Sequence, residues 1–262
     1  RAGLRGRLPG STATLRSFAD ETPRVRTLEF DVPDWPGHLP GQHLDVRLTA
    51  DDGYRAERGY SLASAPGEGV AITVERLEDG EVSPYLTEDL LPGDRIEVRG
   101  PIDGYFIWET GVPGPLLLVA GGSGVVPFRA MLRHRANTGS DVPMRLLGSS
   151  RTIDDVIYRQ GRETPQGGGE VVQTLTRARP PGWTGRSGRI DAALLAELAY
   201  PPGTGATAYV CGPTPFVEAT ARALVDLGYP PERIKTERFG GTTWGAPARA
   251  AVAAPGGGSA CA

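Results

Sequence analysis

The 262-residue sequence has only two cysteines, Cys211 and Cys261. Two thiols cannot form a disulfide framework, and they cannot supply the four ligands of a plant-type iron–sulfur cluster or of a four-cysteine metal site. We therefore expect no metal site in this chain.

Long apolar runs and an excess of basic charge are also absent. The longest strongly apolar run, PLLLVA at 115–120, is far shorter than the ~20 residues that span a bilayer as a helix. The chain opens with RAGLRGRLPG, which lacks the apolar core of a secretory signal. Lys and Arg number 28 against 31 Asp and Glu, so the net charge is −3 and no basic patch for nucleic acid is indicated. We expect a cytoplasmic protein that binds neither nucleic acid nor membrane.

Between Thr12 and about Trp108, apolar and polar residues alternate with a period of two. Turns rich in Pro, Gly and Asp separate the alternating runs. About six short strands with one buried face predict a small antiparallel barrel or sandwich. The clearest strands are TLEFDV, HLDVRL, VAITV and RIEVRG.

After ETGVPGP at 109–115 the pattern changes to strands that alternate with helices. The first strand, LLLVA, leads through GGSG into a helix with Phe128, Met131 and Leu132 on one face. This alternation predicts a parallel sheet covered on both faces, with ligands at the carboxyl ends of its strands. The later units are MRLLGSS with a short helix near 153–160, EVVQTLT with DAALLAEL, ATAYVC with TPFVEATARALVDLG, and finally RIKTERF.

Two of these helices carry recognisable end signals. Asp191 is the expected N-cap of DAALLAEL, and Thr214 that of the last helix, which Gly228 should end. The chain thus divides into an N-terminal domain at 1–110 and a C-terminal domain at 111–243. The remaining 244–262 is rich in small residues, and we expect it to be a mobile tail.

Three short motifs suggest ligand binding, and each has an ordinary structural alternative. In AGGSGVVP at 120–127 the glycines allow close approach of a phosphate to a helix N-terminus, but Pro127 replaces the last glycine of the dinucleotide fingerprint. In EDGEVSPYL at 78–86 the amides of Val82 and Ser83 predict an anion site or a helix cap. Cys211 ends a strand beside the glycine loop, where it either faces a ligand or packs as a small apolar residue.

The motif RGYS at 58–61 places a fixed cation, a phenol and a hydroxyl at one strand end. If the motif has only a structural role, Arg58 is a solvated charge, Tyr60 is a packing ring and Ser61 forms a turn. Successive strand residues point to opposite faces, so Ser61 would point away from Tyr60. For both to serve one site, we expect the chain to bend here, which the following SLASAP favours.

Seven motifs in this order resemble the ferredoxin–NADP reductase superfamily of flavoenzymes, over roughly residues 10–240. The resemblance implies two domains, a six-stranded antiparallel β-barrel that binds flavin and a C-terminal α/β domain with a parallel sheet that binds a pyridine nucleotide. The motifs are LPGQHLDV, RGYS, GEVS, GPIDGYF, AGGSGVVP, CGP and ERF.

The resemblance also implies roles in the first domain. Arg58 would pair with the flavin phosphate, Tyr60 would lie against the isoalloxazine, and Ser61 would hydrogen-bond near flavin N5. The pyrophosphate would be held by the turn that follows, which favours FAD over FMN. The residues of that turn are Gly80, Val82 and Ser83.

In the second domain the resemblance assigns the nicotinamide nucleotide to Gly122, Gly124 and Pro127. Cys211 and Gly212 would place the nicotinamide over the flavin, and Glu237 and Phe239 would close the site. Ser61, Cys211 and Glu237 are thus the predicted catalytic residues.

The sequence departs from the family pattern at two points. Gly59 replaces the serine often found between the Arg and the Tyr of the flavin motif. The chain also continues past ERF through Trp244, which leaves open which aromatic residue covers the flavin.

The stretch LLGSSRTIDD bears on the choice of nucleotide. An Arg near the adenosine ribose accommodates the 2′-phosphate of NADP, whereas an acidic residue binds the free hydroxyl of NAD. We therefore predict a preference for NADPH, with Arg151 as the main contact, Ser150 as a second and Arg159 as a possible helper. The alternative is that Arg151 is a loop charge paired with Asp154 or Asp155.

The predicted activity is hydride transfer from NAD(P)H to FAD, followed by electron release to an external acceptor. A ferredoxin, a flavodoxin-like protein or an oxygenase component would fit that acceptor. Two alternatives remain open. One is an NADH:flavin or quinone reductase with a small-molecule acceptor, and the other is a flavin-bearing electron-relay subunit of a larger complex.

Overall fold

The computed structural model describes residues 10–159 and 169–239. Trp244, the predicted tail at 244–262 and the end of the helix predicted near 153–160 lie outside the described residues. Within the described ranges, no helix is both long and apolar enough to cross a membrane.

The first half of the chain forms one six-stranded sheet in which all neighbouring strands are antiparallel. An isolated bridge between Leu62 and Ile72 joins the end of the fourth strand to the fifth, so the first and last strands in the spatial order come together. The predicted six-stranded antiparallel barrel is confirmed. Its strands are β1 (Ser11–Thr22), β2 (Val25–Asp31), β3 (His43–Thr49), β4 (Arg55–Ser61), β5 (Val70–Glu75) and β6 (Arg95–Ile102), in the order β4-β3-β6-β1-β2-β5.

The alternation seen in the sequence fills the interior of this barrel. Leu28, Leu44 and Val98 are fully buried or nearly so in one apolar cluster. Strand β5 differs, because five successive residues from Val70 are buried. Its inward residues join the barrel core, while Ala71 packs in a second cluster with Tyr158 of the C-terminal half. One strand of the barrel is therefore covered on both faces.

The second half forms a parallel sheet with the order β10-β9-β8-β7-β11-β12, as predicted. Apolar clusters cover both of its faces, and Phe128 and Met131 are buried in one of them, as the helix pattern predicts. The strands are β7 (Leu116–Gly121), β8 (Met144–Ser150), β9 (Glu170–Leu175), β10 (Arg186–Ser187), β11 (Thr207–Pro213) and β12 (Ile234–Phe239), and the helices are α1 (Val126–Asn137), α2 (Ala192–Leu198) and α3 (Thr214–Asp226).

The predicted helix ends have mixed outcomes. Asp191 caps α2, since its carboxylate accepts the Leu194 N–H at 2.9 Å. Gly228 follows the end of α3 with φ of 93°, as expected. The prediction for Thr214 was wrong, because Thr214 is already helical and Pro213 takes the cap position without a side-chain bond. The helix expected near 153–160 begins as a single turn at Ile153–Asp155.

Candidate active site

The carboxyl edge of the parallel sheet faces the end of barrel strand β4. The Ser61 hydroxyl at the end of β4 lies 3.5 Å from Glu237 Oε1 on β12, a long hydrogen bond. Two further contacts tie the barrel exit to the same strand: Lys235 Nζ donates to the Ile107 carbonyl at 3.1 Å, and the Tyr105 hydroxyl donates to the Ile234 carbonyl at 3.3 Å. Residues of both halves thus line one junction.

Strand β4 presents Tyr60 and Ser61 to different surroundings. Tyr60 pairs with Leu44 of β3 and packs against the barrel core, and burial raises the pKa of its phenol strongly. Ser61 pairs with His43 and points to Glu237. The bend expected at this position is absent, because β4 stays paired with β3 through Ser61. Strand alternation itself sends the hydroxyl toward the second half of the protein.

Arg58 lies beside the GEVS turn. Its side chain is 54% exposed, and Nη2 is 3.5 Å from Glu81 Oε2, while the Tyr54 hydroxyl donates to the other oxygen of Glu81 at 2.8 Å. The RGYS motif and the GEVS motif, which are separate in sequence, are therefore in contact at Glu81. A half-exposed, permanently charged fork at this place is suited to a phosphate group.

The turn itself is compact and leaves little room for side chains. The Gly80 N–H donates to the Leu77 carbonyl at 2.9 Å, and a Cβ on Gly80 would lie 2.8 Å from Ser83 Oγ. Ser83 Oγ accepts the Leu77 N–H at 3.1 Å, and the Val82 side chain is buried in the barrel core. The side chains of Val82 and Ser83 thus stabilise the turn.

The glycine loop after β7 packs directly on β11. Gly122 has φ of 56°, a conformation that favours glycine, and a Cβ on Gly124 would collide with the carbonyl oxygen of Cys211. A Cβ on Gly212 would lie 2.8 Å from the Phe216 ring. The following Pro127 is buried in the first turn of α1. Packing therefore requires glycine at positions 124 and 212, whether or not these residues bind a ligand.

Cys211 and Glu237 occupy paired positions on the neighbouring strands β11 and β12. The Cys211 side chain is 2% exposed, and burial, then the charge of Glu237, raises the pKa of its thiol well above the usual range. Burial, followed by the charge of Asp103, raises the pKa of Glu237 to about 7, against a smaller lowering by Ser61. Glu237 Oε2 is buried and has no hydrogen-bond partner among the described residues. The thiol is neutral at neutral pH, while Glu237 is poised to exchange a proton.

The remaining predicted residues lie along the same sheet edge. Ser150 ends β8, Arg151 follows it, and Phe239 ends β12 partly buried against the core. Arg151 is 45% exposed and pairs with Asp155 at 3.2 Å, which is the contact foreseen by the structural alternative. Arg159 lies 3.9 Å from Asp154.

Sequence reasoning missed three residues at or near this junction. His43 faces Ser61 across the sheet and has a buried Nδ1 without a partner in the described structure. Asp103 has a left-handed φ of 80°, and Tyr158 packs on the outer face of barrel strand β5, where its hydroxyl donates to Thr73 Oγ1 at 2.5 Å. His43 and Asp103 stand inside LPGQHLDV and GPIDGYF, two motifs that carried the resemblance, so the signal was present without an assigned role. Among the described side chains, no group of three or more His, Cys, Asp or Glu is arranged to hold a metal ion.

Comparison with known proteins identifies both halves of the chain. Residues 12–107 match the family model of the oxidoreductase FAD-binding domain, and residues 118–222 match that of the oxidoreductase NAD-binding domain. Ferredoxin–NADP reductase B of Sorangium cellulosum is 34% identical over an aligned length of 239 residues, and the match covers 87% of this chain and 96% of that protein. The chain belongs to the ferredoxin–NADP reductase superfamily. It is an NAD(P)H-dependent flavoprotein reductase that uses FAD and passes electrons to an external acceptor.

Two more proteins are similar to this chain. The glycine betaine monooxygenase reductase subunit of Chromohalobacter salexigens is 31% identical over an aligned length of 231 residues, and the match covers 85% of this chain and 62% of that protein. This chain thus spans less than two thirds of that longer reductase. Among solved structures, the flavohem-like FAD/NAD-binding domain of nitric oxide dioxygenase from Vibrio cholerae has a TM-score of 0.76 at 26% identity, covering 88% of this chain and 99% of that chain.

Proposed function

We propose that this reductase takes hydride from NADPH and delivers electrons to a protein acceptor, either a ferredoxin or an oxygenase component. The observation that carries the proposal is the meeting of Ser61, Cys211 and Glu237 where the FAD-binding barrel faces the carboxyl edge of the NAD-binding sheet. The names of the relatives from Sorangium and Chromohalobacter support a protein acceptor, since one is a ferredoxin reductase and the other a reductase subunit of a monooxygenase.

The residues around β4 fit a bound FAD. Arg58 offers a charged fork to the phosphates, beside the Val82 and Ser83 amides at the start of a helical turn, where intrahelical partners are lacking. Tyr60 offers an aromatic face with a hydroxyl, and Gly80 keeps the turn narrow. When bound, FAD supplies the hydride acceptor and the stepwise release of electrons.

The sheet edge of the second domain fits a nicotinamide nucleotide. The glycine loop, with Gly122, Gly124 and Pro127, opens the N-terminus of α1 to phosphate oxygens. Cys211 presents a neutral thiol and Gly212 a bare backbone at the adjacent strand end, which suits them to position an uncharged ring. We propose that Phe239, the last residue of β12, covers this site from the side.

Glu237 and Ser61 form the proton-handling part of the proposed site. With its pKa raised to about 7, the Glu237 carboxyl can hold a proton at Oε1 near neutral pH and exchange it with the Ser61 hydroxyl 3.5 Å away. With FAD bound, Ser61 would be the residue that passes this proton between Glu237 and the cofactor.

The preference for NADPH rests on Arg151. Its guanidinium is half-exposed at the carboxyl end of β8, next to Ser150, and among the described residues it is paired with one carboxylate, that of Asp155. A phosphate dianion competes well with a single, partly exposed carboxylate for such a group. Arg159, paired with Asp154 at 3.9 Å, would act as a helper.

Steady-state assays on the purified, FAD-loaded protein test the acceptor. We expect ferricyanide reduction with NADPH by the protein alone, and cytochrome c reduction that rises strongly when a ferredoxin is added. Rapid cytochrome c or quinone reduction without any protein acceptor would favour the small-molecule reductase. Failure to reduce ferricyanide with either nucleotide would favour a relay subunit.

A further inference from the structure

A carboxylate of the barrel contacts the glycine loop of the second half. The loop is the single turn Gly122–Val125 between β7 and α1, and the Ser123 hydroxyl in this turn donates to Glu75 Oε2 at 2.8 Å. Glu75 is the last residue of β5 and is half-buried. No Lys or Arg of the described ranges forms an ion pair with it. An unpaired negative charge of the barrel is therefore in direct contact with the loop proposed to hold the nucleotide phosphates.

The contact lies on the loop between an open side and a packed side. Gly122 is exposed, and a Cβ placed on it would meet no atom within 4 Å. Gly124 packs against the carbonyl oxygen of Cys211 and leaves no such space. Ser123 stands between these two glycines, and its hydroxyl is the side-chain donor that the loop could offer to an anion. Glu75 already occupies that donor.

The start of α1 attracts anions, and Glu75 supplies one from within the protein. Ser123 lies three positions before Val126, the first residue of the helix. The free amides and the dipole at a helix start favour a negative charge, whether it belongs to a carboxylate or to a phosphate. A nucleotide diphosphate that enters this loop therefore meets a like charge and a hydroxyl that is already bonded.

A second barrel carboxylate bonds to α1 at the other end of the helix. Glu68 Oε2 accepts from Arg133 Nε at 2.8 Å, and Glu68 Oε1 accepts from Asn137 Nδ2 at 2.8 Å. Asn137 is the last residue of α1. Glu68 thus joins the two halves of the protein as Glu75 does, but it lies away from the glycine loop.

We propose that Glu75 is an intramolecular competitor of the nucleotide diphosphate and sets the affinity of the nucleotide site. Its carboxylate holds Ser123 and the start of α1 when the loop is empty, and the diphosphate must displace it or bind beside it. Glu75 thereby weakens binding of any nucleotide that carries a diphosphate, whereas Arg151 is proposed to act on the 2′-phosphate. The inference rests on the proposed function, which places the nucleotide diphosphate at the glycine loop.

The test is a calorimetric titration of the FAD-loaded protein with NADP⁺ and with adenosine 2′-phosphate, which lacks the diphosphate. Glu75→Gln removes the charge and keeps an oxygen that can accept from Ser123. We expect it to lower the Kd for NADP⁺ by roughly three- to tenfold and to leave the Kd for adenosine 2′-phosphate unchanged. Glu68→Gln is the matched control, since it removes a junction carboxylate bonded to the other end of α1, and it should change neither Kd.

Three results would overturn the role of Glu75. The first is unchanged or weaker NADP⁺ binding in Glu75→Gln. The second is an equal gain in Glu68→Gln, which would show that a loosened junction and not the charge at the loop raises the affinity. The third is an equal gain for adenosine 2′-phosphate, which would exclude competition with the diphosphate. A wild-type protein that binds no NADP⁺ would refute the proposed nucleotide site itself, whereas wild-type binding without a gain in Glu75→Gln refutes only the role of Glu75.

Discussion

Ser61 and Glu237 are 176 positions apart in sequence, yet the Ser61 hydroxyl lies 3.5 Å from the Glu237 carboxyl. The contact joins the last residue of a barrel strand to a strand of the parallel sheet. Since the flavin motif and the nicotinamide motif belong to different sheets, we propose that hydride and proton transfer are coordinated at this contact. The following predictions test the groups around it.

Replacement of Arg58 by Ala should weaken FAD binding by roughly one to two decades, because a charge-assisted phosphate contact contributes on the order of 1.5–3 kcal/mol. The measurement is the flavin-to-protein ratio after dialysis, with the melting temperature as a check on folding. Arg55→Ala removes an equal charge from the exposed start of the same strand and should keep its flavin. Full FAD occupancy in Arg58→Ala would refute the anchoring role.

Cys211→Ala should slow flavin reduction by at least about tenfold, since small misplacement of the nicotinamide is costly to the rate. The buried thiol also fills core space, so we expect a loss of unfolding free energy of only about 1 kcal/mol. Stopped-flow reduction and thermal melting separate the two effects. Unchanged turnover per folded molecule with a large loss of stability would make Cys211 a core residue only.

Glu237→Gln should change how stability depends on pH. The pKa of Glu237 in the folded protein is about 7, above its unfolded value of ~4.3, so the carboxyl makes the folded state progressively less stable as pH rises between these values. The variant lacks this loss and should gain on the order of 3 kcal/mol over wild type at pH 8, with little gain at pH 4.5. Urea unfolding at both values measures the gain. Glu232→Gln, at an exposed position, should show none, and a pH-independent difference in Glu237→Gln would contradict a raised pKa.

Tyr158→Phe should weaken the junction of the two halves. The buried Tyr158 hydroxyl donates to Thr73 of the barrel, and its loss should cost about 1–2 kcal/mol of unfolding free energy. Limited proteolysis between the sheets, near 109–115, should become faster. Tyr229→Phe removes a tyrosine hydroxyl bonded within the second half, to the Tyr200 carbonyl, and should lower stability without that change in proteolysis. Equal cleavage in both variants would argue against a junction role.

Arg151→Ala should raise the KM for NADPH by roughly tenfold or more and leave that for NADH nearly unchanged, because only NADPH carries the 2′-phosphate. Asp155→Asn frees the Arg151 guanidinium from its ion pair and should shift the preference further toward NADPH. Steady-state kinetics with both nucleotides measure each effect. Equal efficiency of NADH and NADPH in the wild type would remove the basis of the assignment.

The sequence by itself determined the two sheet types, because side-chain periodicity is a local property. Apolar and polar residues alternate around Leu28 in β2 and around Leu44 in β3, and this pattern required half-buried antiparallel strands. The continuous apolar run at 116–120 required a strand that is covered on both faces. It also determined where α3 ends, because Gly228 can adopt the positive φ that follows the helix. The order of short motifs carried the family and, through it, the candidate residues.

Only the tertiary structure decided which residues each face of a strand contacts. The alternation at Tyr60 and Ser61 sends them to opposite faces, and without the second sheet in place Ser61 had no visible partner, so a bend was wrongly expected. Burial of both faces of β5 likewise depends on Tyr158 and its neighbours. The pKa of Glu237 is raised by its burial in the folded protein and then by the charge of Asp103, far away in sequence, because desolvation and Coulomb interactions act through space.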